Sequence, residues 1–393
     1  MTKTKVLTER EYEQVIALSE YAFQYKVAEK EYEQKLQNLA NFHLLGVMEN
    51  DRLLSKLHLL SKTVNIHQME FKMAGVASVA TWPEHRRGGL VKGLLVDALK
   101  WMKENNYTLS YLHPFKISFY RKFGWELFVD HKTYTFTPND LVRMRASNGH
   151  VWRANKERDR PGIHGIYEQF ASRYSGMLCR TEEWWDKSIW DEGDHVVVYE
   201  GEDKQNLGYL MYSLKNRHLE VHEFVALNEE ATRGLWNFIC QHDSMVQKVT
   251  MVVPKSDELP YLLDNPRCEQ AIRPYFMARI VDVTTFLSTY PFQTIKNPFF
   301  LHIYDEYATW NNGSYLVKEG GIEVFNKTST HTSCSHPPKK GIRLSINELS
   351  SILLGYQTPQ QLYKIGKIEG NQEDVKRLEE ALPELSTYFM DFF

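Results

Sequence analysis

Cysteine is scarce in this chain, and it is scattered: Cys179, Cys240, Cys268 and Cys334 form no C-x-x-C pair. That pattern excludes a disulfide framework and a cysteine-rich zinc site, and it makes a reducing cytoplasm the expected setting. The histidines contain no H-E-x-x-H run. His331 and His336 flank Cys334, but in a Ser/Thr/Pro-rich loop they are not expected to hold a metal. Long hydrophobic runs are missing too, since no stretch approaches the roughly eighteen apolar residues of a membrane span. The first residues carry charges and no apolar core, so a signal peptide is not expected. Nor is there an excess of charge of one sign. Lys and Arg number 47 against 50 Asp and Glu, a net charge of −3, which argues against a nucleic-acid partner. What the chain does have is 393 residues at 42% hydrophobic content, enough for two or three domains with cores of their own.

The element pattern predicts three parts. Thr8-Glu-Arg-Glu11 is a capping box ahead of a helix from Glu9 to about Tyr25. Strands follow at 42–48, 53–60 and 64–81, then a helix from about Gly88, a strand near Leu109, the segment around Tyr120, and a strand at 133–137. This α-β-β-β-α-β-α-β order predicts one domain over 1–147. A second part, 148–286, repeats strand, helix and strand around 219–253. Its helix starts Asn228-Glu-Glu-Ala-Thr232, which suits a helix N-terminus and repels an anion. The last part, 287–393, reads as a small α+β domain, with strand-like runs at 299–308, 314–319 and 322–327 and a capping box at Ser345 and Glu348.

The chemistry concentrates in Ala77-Ser-Val-Ala-Thr-Trp-Pro-Glu-His-Arg-Arg-Gly-Gly-Leu-Val91. An apolar strand ends there. A helix with Leu90, Val91, Leu94, Leu95, Ala98, Leu99 and Met102 at helical spacing begins. Between them Arg86, Arg87, Gly88 and Gly89 combine two cations, two glycines and unpaired first-turn amides, a cradle for a pyrophosphate. The spacing is neither a Rossmann fingerprint nor a Walker A loop. About thirty residues on, Ser118-Phe-Tyr-Arg-Lys-Phe-Gly-Trp125 reads as a short helix ended by a glycine.

Arg86-x-x-Gly89-x-Val91 resembles the acetyl-CoA loop of the GNAT acyltransferases, with Val91 where a small residue is usual, and Tyr120-x-x-Phe123-Gly124-Trp125 resembles their last motif. With the run Phe276-Met-Ala-Arg-Ile-Val-Asp-Val283 and the C-terminal part, the whole chain resembles the Eis-like N-acetyltransferases. That resemblance implies a mixed α/β, α+β fold class: tandem GNAT-like domains, the second degenerate and without a CoA loop, plus a C-terminal sterol-carrier-protein-like domain. It implies acetyl-CoA as co-substrate along Val79, Ala80 and Thr81. The amides of Arg87, Gly88, Gly89, Leu90, Val91 and Lys92 would lie on its pyrophosphate, with Arg86 beside them and Phe115 and Lys116 nearby. It also implies that Tyr120 donates a proton to the leaving thiolate, and that the α-carboxylate of the terminal Phe393 takes the acceptor's proton. The acceptors implied are primary amines of cationic molecules, such as aminoglycosides, polyamines or lysine side chains, in direct ternary-complex transfer. No metal, nucleic acid or membrane partner is expected, and a homo-oligomer, hexameric by resemblance, is. Relatives are often acidic just before the last residue. Here Phe392 stands there and Asp391 one place back. Two other functions stay open: a non-catalytic acyl-CoA sensor, which fits the loop equally well, and a hydrophobic-ligand carrier based on the C-terminal domain.

Overall fold

The computed structural model describes residues 4–190, 193–325, 340–384 and 386–393. His331, Cys334 and His336 lie outside them. Among the described residues no group of three His, Cys, Asp or Glu side chains could hold a metal, and no helix is long and apolar enough to cross a membrane.

The first part opens with strand β1 (Thr4–Val6) and the Thr8 box, where the Thr8 amide donates to Glu11 Oε2 at 2.8 Å. Helices α1 (Tyr12–Phe23) and α2 (Glu29–Leu39) follow, then β2 (His43–Glu49), β3 (Arg52–Ile66) and β4 (Met69–Thr81). The last two form a long hairpin around His67 and Gln68, both with positive φ, as a tight turn between twisted strands requires. Helix α3 (Leu90–Glu104), β5 (Leu109–Leu112), α4 (Ile117–Arg121) and β6 (Glu126–Leu127) complete it. The predicted apolar stripe of α3 is buried: Leu94, Leu95, Ala98, Leu99 and Met102 pack on Leu57, Leu59 and Val76 of the sheet.

The strand expected to finish this sheet does not. β7 (Asp130–Phe136) belongs to the second sheet, with β8 (His150–Arg153), β9 (His195–Glu200), β10 (Asn206–Lys215), β11 (His218–Ala226), β12 (Lys248–Pro254) and β13 (Glu269–Pro274). In return β14 (Met277–Ile280), from the far end of the central part, inserts between β5 and β6, pairing Met277 with both Leu112 and Leu127. The linkers explain the exchange. Phe128 and Val129 are fully buried and carry no turn chemistry, so the chain runs on from sheet to sheet instead of reversing. Tyr275 and Phe276 carry it back.

The third sheet holds β15 (Phe299–Tyr304), β16 (Gly313–Lys318), β17 (Gly321–Phe325) and β18 (Ile342–Ser345), in the order β17-β16-β15-β18. The helix Ile346–Leu353 starts at the predicted Ser345 box, whose amide donates to Glu348 Oε2 at 3.1 Å. Leu349 and Leu353 share one core with Val64, Phe71 and Met73 of the first sheet. The C-terminal part is thereby fixed against the first, and the chain end returns between the two large sheets.

Candidate active site

β4 and β5 pair in parallel only from Met73 to Gly75. Beyond that they diverge, and β4 from Val76 to Thr81 keeps β3 on one side with its other edge open. An open strand edge presents unpaired amides and carbonyls. Within it the register shifts: Lys56 faces Ala80 and His58 faces Ala77, so Ser78 and Val79 together oppose Leu57. This is a β-bulge, and Ser78 has φ +50°, a conformation that bulges use to re-aim the chain.

After β4 the Arg/Gly loop enters α3. Arg86 folds back, its Nε donating to the Thr81 carbonyl at 3.2 Å. Arg87 and Gly89 take the left-handed conformation, with φ +66° and +80°. No side chain caps α3 and no acid occupies its first turn, so its dipole and free amides face outward. The second part differs at the equivalent place. Asn228 Oδ1 accepts from the Ala231 amide at 2.9 Å, and Glu230 accepts from the Tyr199 hydroxyl. There the helix end is met by the chain's own oxygens.

The diverging strands, the loop and α4 enclose a cavity of about 1,010 Å³. Of the residues singled out in the sequence, Val79, Ala80, Thr81, Arg86, Arg87, Gly89, Leu90, Val91, Lys92, Phe115, Tyr120 and Phe393 line it. Gly88 and Lys116 do not; Lys116 is exposed at the start of α4. Lys92 reaches toward the third part, its Nζ 5.3 Å from the Tyr307 ring centre. Tyr120 is 3% exposed, set among the rings of Phe119 at 5.2 Å, Phe115 at 5.4 Å and Trp125 at 6.5 Å. Burial raises its hydroxyl well above the ordinary tyrosine range, so it stays protonated. Gly124 ends the segment with φ +89°, and a Cβ there would meet the Arg279 guanidinium at 2.2 Å. That motif glycine is required by conformation and by space.

Several further residues line it. Ala22 and Phe23 from the end of α1 and His113 carried no signal in the sequence; Ser78 from the bulge, Phe119 and Phe392 lie in the segments singled out there but had no role assigned. Gly75 seats the terminal residue: a Cβ on it would lie 2.5 Å from the Phe393 ring. An isolated glycine within a strand is the one available hint of such a close approach.

The chain end is held from behind. Asp391 is buried, and its Oδ1 accepts from Arg180 Nε at 2.9 Å and Trp184 Nε1 at 2.7 Å. Arg180 also pairs with Glu223 at 2.5 Å and lies over the rings of Tyr167 and Trp185. Tyr275 donates to the Asp391 carbonyl, and His131 Nε2 lies 2.9 Å from the Phe389 carbonyl oxygen. Burial raises the Asp391 carboxyl above its ordinary value, with Glu223 adding to the effect and Arg180 opposing it. Asp391 is therefore an internal anchor, and its carboxylate does not face the cavity. Among the described residues, no Asp or Glu side chain lines this cavity. A second cavity of about 650 Å³ lies beyond Phe392; its charged and histidine lining is Asp194, Lys215, His218, Glu220, His222, Glu223 and Asp391, four acids against one lysine.

Comparison with known proteins matches this architecture part by part. Models described as acetyltransferase (GNAT) domains match residues 3–128 and 176–280, and one described as a sterol carrier protein domain matches 283–390. An uncharacterized N-acetyltransferase of Streptomyces avermitilis is 21% identical over 91% of this chain and 89% of its own. The N-acetyltransferase Eis of Mycobacterium tuberculosis is 26% identical over 49% of this chain and 51% of its own. Among solved structures, a probable N-acyltransferase from Enterococcus faecalis superposes with a TM-score of 0.91 at 26% identity, covering 100% of this chain and 99% of that one. Eis1 from Mycobacterium abscessus shares the fold, with a TM-score of 0.81 at 20% identity over the full length of both. The chain thus carries two GNAT acetyltransferase domains followed by a sterol-carrier-protein domain, with Eis N-acetyltransferase homologues over half of its length.

Proposed function

We propose that the protein transfers the acetyl group of acetyl-CoA to a primary amine in one ternary complex. GNAT acetyltransferases use an acyl-CoA, and the residues around the cavity suit one. The open edge of β4 offers backbone hydrogen bonds to an extended amide chain, and the uncapped start of α3 with Arg87 offers charge to a pyrophosphate. One observation carries the catalytic reading: Tyr120 and the terminal residue Phe393 line the same cavity as the bulge and the loop. In this reading Tyr120 holds the proton for the leaving thiolate, and the Phe393 α-carboxylate receives the acceptor's ammonium group. Positioning both reactants supplies much of the acceleration.

A cationic acceptor is supported by the second cavity. Its reacting amine would lie near Phe393, and its other charges would reach Asp194 and Glu220 past Phe392. The central domain takes no CoA in this proposal, because Asn228 and Glu230 occupy its helix start. A homo-oligomer in a reducing cytoplasm is part of the same reading. The carrier alternative calls for an apolar cavity in the C-terminal domain. There Leu301, Tyr315, Val317, Leu349 and Leu353 are fully buried against one another.

The test is thiol release from acetyl-CoA with aminoglycosides, polyamines, lysine peptides and hydrazides as acceptors. Release with a multiply charged amine is the expected result. Tight acetyl-CoA binding with no release from any amine would leave the sensor function instead.

A further inference from the structure

The two cavities meet at one side chain. Phe392 lines the cavity of the bulge, the loop and Tyr120, and it also lines the second cavity; among the described residues no other residue lines both. Its chain neighbours are held. The Asp391 carbonyl accepts from the Tyr275 hydroxyl at 2.9 Å, and the Asp391 carboxylate is bound by Arg180 and Trp184. The Phe393 ring packs on Gly75 and lies 5.1 Å from the Phe276 ring. Phe392 itself is 62% exposed, although the backbone that carries it is fixed on both sides. Its ring meets His113 at 5.2 Å and Phe276 at 6.3 Å, both edge to face. Much of the ring is left to the space between the cavities.

Both chambers suit a cation. In the first, the terminal residue Phe393 brings the α-carboxylate of the chain. In the second, Asp194, Glu220, Glu223 and Asp391 stand against Lys215. Arg180, behind that wall, offsets one of these acids through its pairs with Glu223 and Asp391, and Lys215 offsets another. Two negative charges remain while His218 and His222 are neutral. Between the chambers stands an exposed phenyl ring. An aromatic face attracts a cation and packs against methylene groups, and covering it removes apolar surface from water. Burial lowers His113 below the ordinary histidine range, so this neighbour brings no competing cation to the ring.

We propose that Phe392 sets the acceptor specificity: the protein favours linear amines whose two ammonium groups are joined by methylenes. One ammonium lies at the Phe393 carboxylate, the methylene chain lies over the Phe392 ring, and the second ammonium reaches Asp194 and Glu220. The proposal rests on the acetyl-transfer reading of the first cavity and leaves its chemistry as stated there, with the terminal carboxylate receiving the ammonium group and Tyr120 holding the proton for the thiolate. Phe392 and Phe393 are consecutive, with Cα atoms about 3.8 Å apart, so a spacer of a few methylenes carries the second charge past the ring. A shorter diamine keeps both charges in the first chamber. A monoamine gives up the second chamber altogether.

The test measures kcat and KM for α,ω-diaminoalkanes from propane to decane and for the 1-aminoalkanes of equal length. The enzymes compared are the parent, Phe392→Ala, Phe392→Leu and Glu220→Gln. In the parent, kcat/KM for the diamine should exceed that for the matching monoamine by about 10-fold once the chain passes the ring, mainly through KM. Phe392→Ala should lose most of this advantage, and Phe392→Leu, which packs methylenes but has no aromatic face, should keep part of it. Glu220→Gln should lower the advantage from the other side of the ring. Diamine and monoamine are compared within each enzyme, so a smaller folded fraction cancels from the ratio. If Phe392→Ala is inactive with every amine, Phe392→Leu and Glu220→Gln decide. An advantage in the parent no larger at any length than the factor of about two that two equivalent amines supply would overturn the proposal. So would an advantage undiminished in the variants. A parent that releases no thiol with any amine defeats the transferase reading itself, a distinguishable result.

Discussion

Tyr120 shows how a short local string can carry chemistry. Its helix, the aromatic residues around it and the glycine that ends it lie within eleven residues, Phe115 to Trp125, so the motif was legible without a fold. Burial keeps its hydroxyl protonated, as an acid must be. Tyr120→Phe should leave acetyl-CoA Kd unchanged and lower kcat about 100-fold, the low end for a general acid, because a thiolate with pKa near 8.5 leaves readily unaided. Turnover equal to the parent's would remove Tyr120 from the mechanism. The residues that were not legible are those whose meaning depends on distant partners. Phe392 reads as one of two terminal aromatics until the fold sets it between two cavities. Gly75 reads as a weak point in a strand until Phe393, at the other end of the chain, is packed on it.

At the scale of the element, the terminal tail is the piece whose placement decides the site, and its anchor is electrostatic. One guanidinium, Arg180, stands between two buried carboxylates, Asp391 and Glu223. The loss of each partner has different consequences. Asp391→Asn leaves one cation facing one anion, with the Trp184 and Arg180 donors still served by an amide oxygen. It should cost under about 1 kcal/mol. Arg180→Met leaves both acids buried and unpaired and should cost about 3–5 kcal/mol. It should also free Phe393 and cut kcat/KM for the amine more than acetyl-CoA binding. Urea unfolding and the thiol assay measure the two effects; equal costs for the two variants would refute this account. The pH sign is equally definite. Asp391's folded pKa is raised, so the folded state holds its proton longer than the unfolded state does. Stability contributed here falls as pH rises above the ordinary carboxyl value, and mild acid does not loosen the tail.

Across the whole molecule, the loop, the division into three parts and the helices Tyr12–Phe23, Leu90–Glu104, Glu229–Cys240 and Ile346–Leu353 followed from periodicity, caps and turn residues; the helices Glu29–Leu39 and Arg160–Ala171 did not. Nor did the exchange of strands between the sheets. An alternating strand at 133–137 has the same pattern in either sheet, and only the buried Phe128 and Val129 fix its direction. The exchange makes the first two domains interdependent. β14 is fully buried from Met277 to Ile280. Met277 packs into the core beneath α3, while Ala278 and Ile280 pack into the core shared with the third part. A chain ending at 147 would lack this strand, leave β5 and β6 with open edges, and carry β7 without its sheet. Such edges template aggregation, and four deeply buried residues are a large share of a marginal stability. The fragment 1–147 should therefore be aggregated or unfolded, with poor amide dispersion by NMR and no acetyl-CoA binding, although it contains the loop and Tyr120. The full chain should unfold its first two sheets in one transition. A folded fragment that bound acetyl-CoA would show that the strand from the central domain is dispensable, and that the two sheets are joined by contact alone.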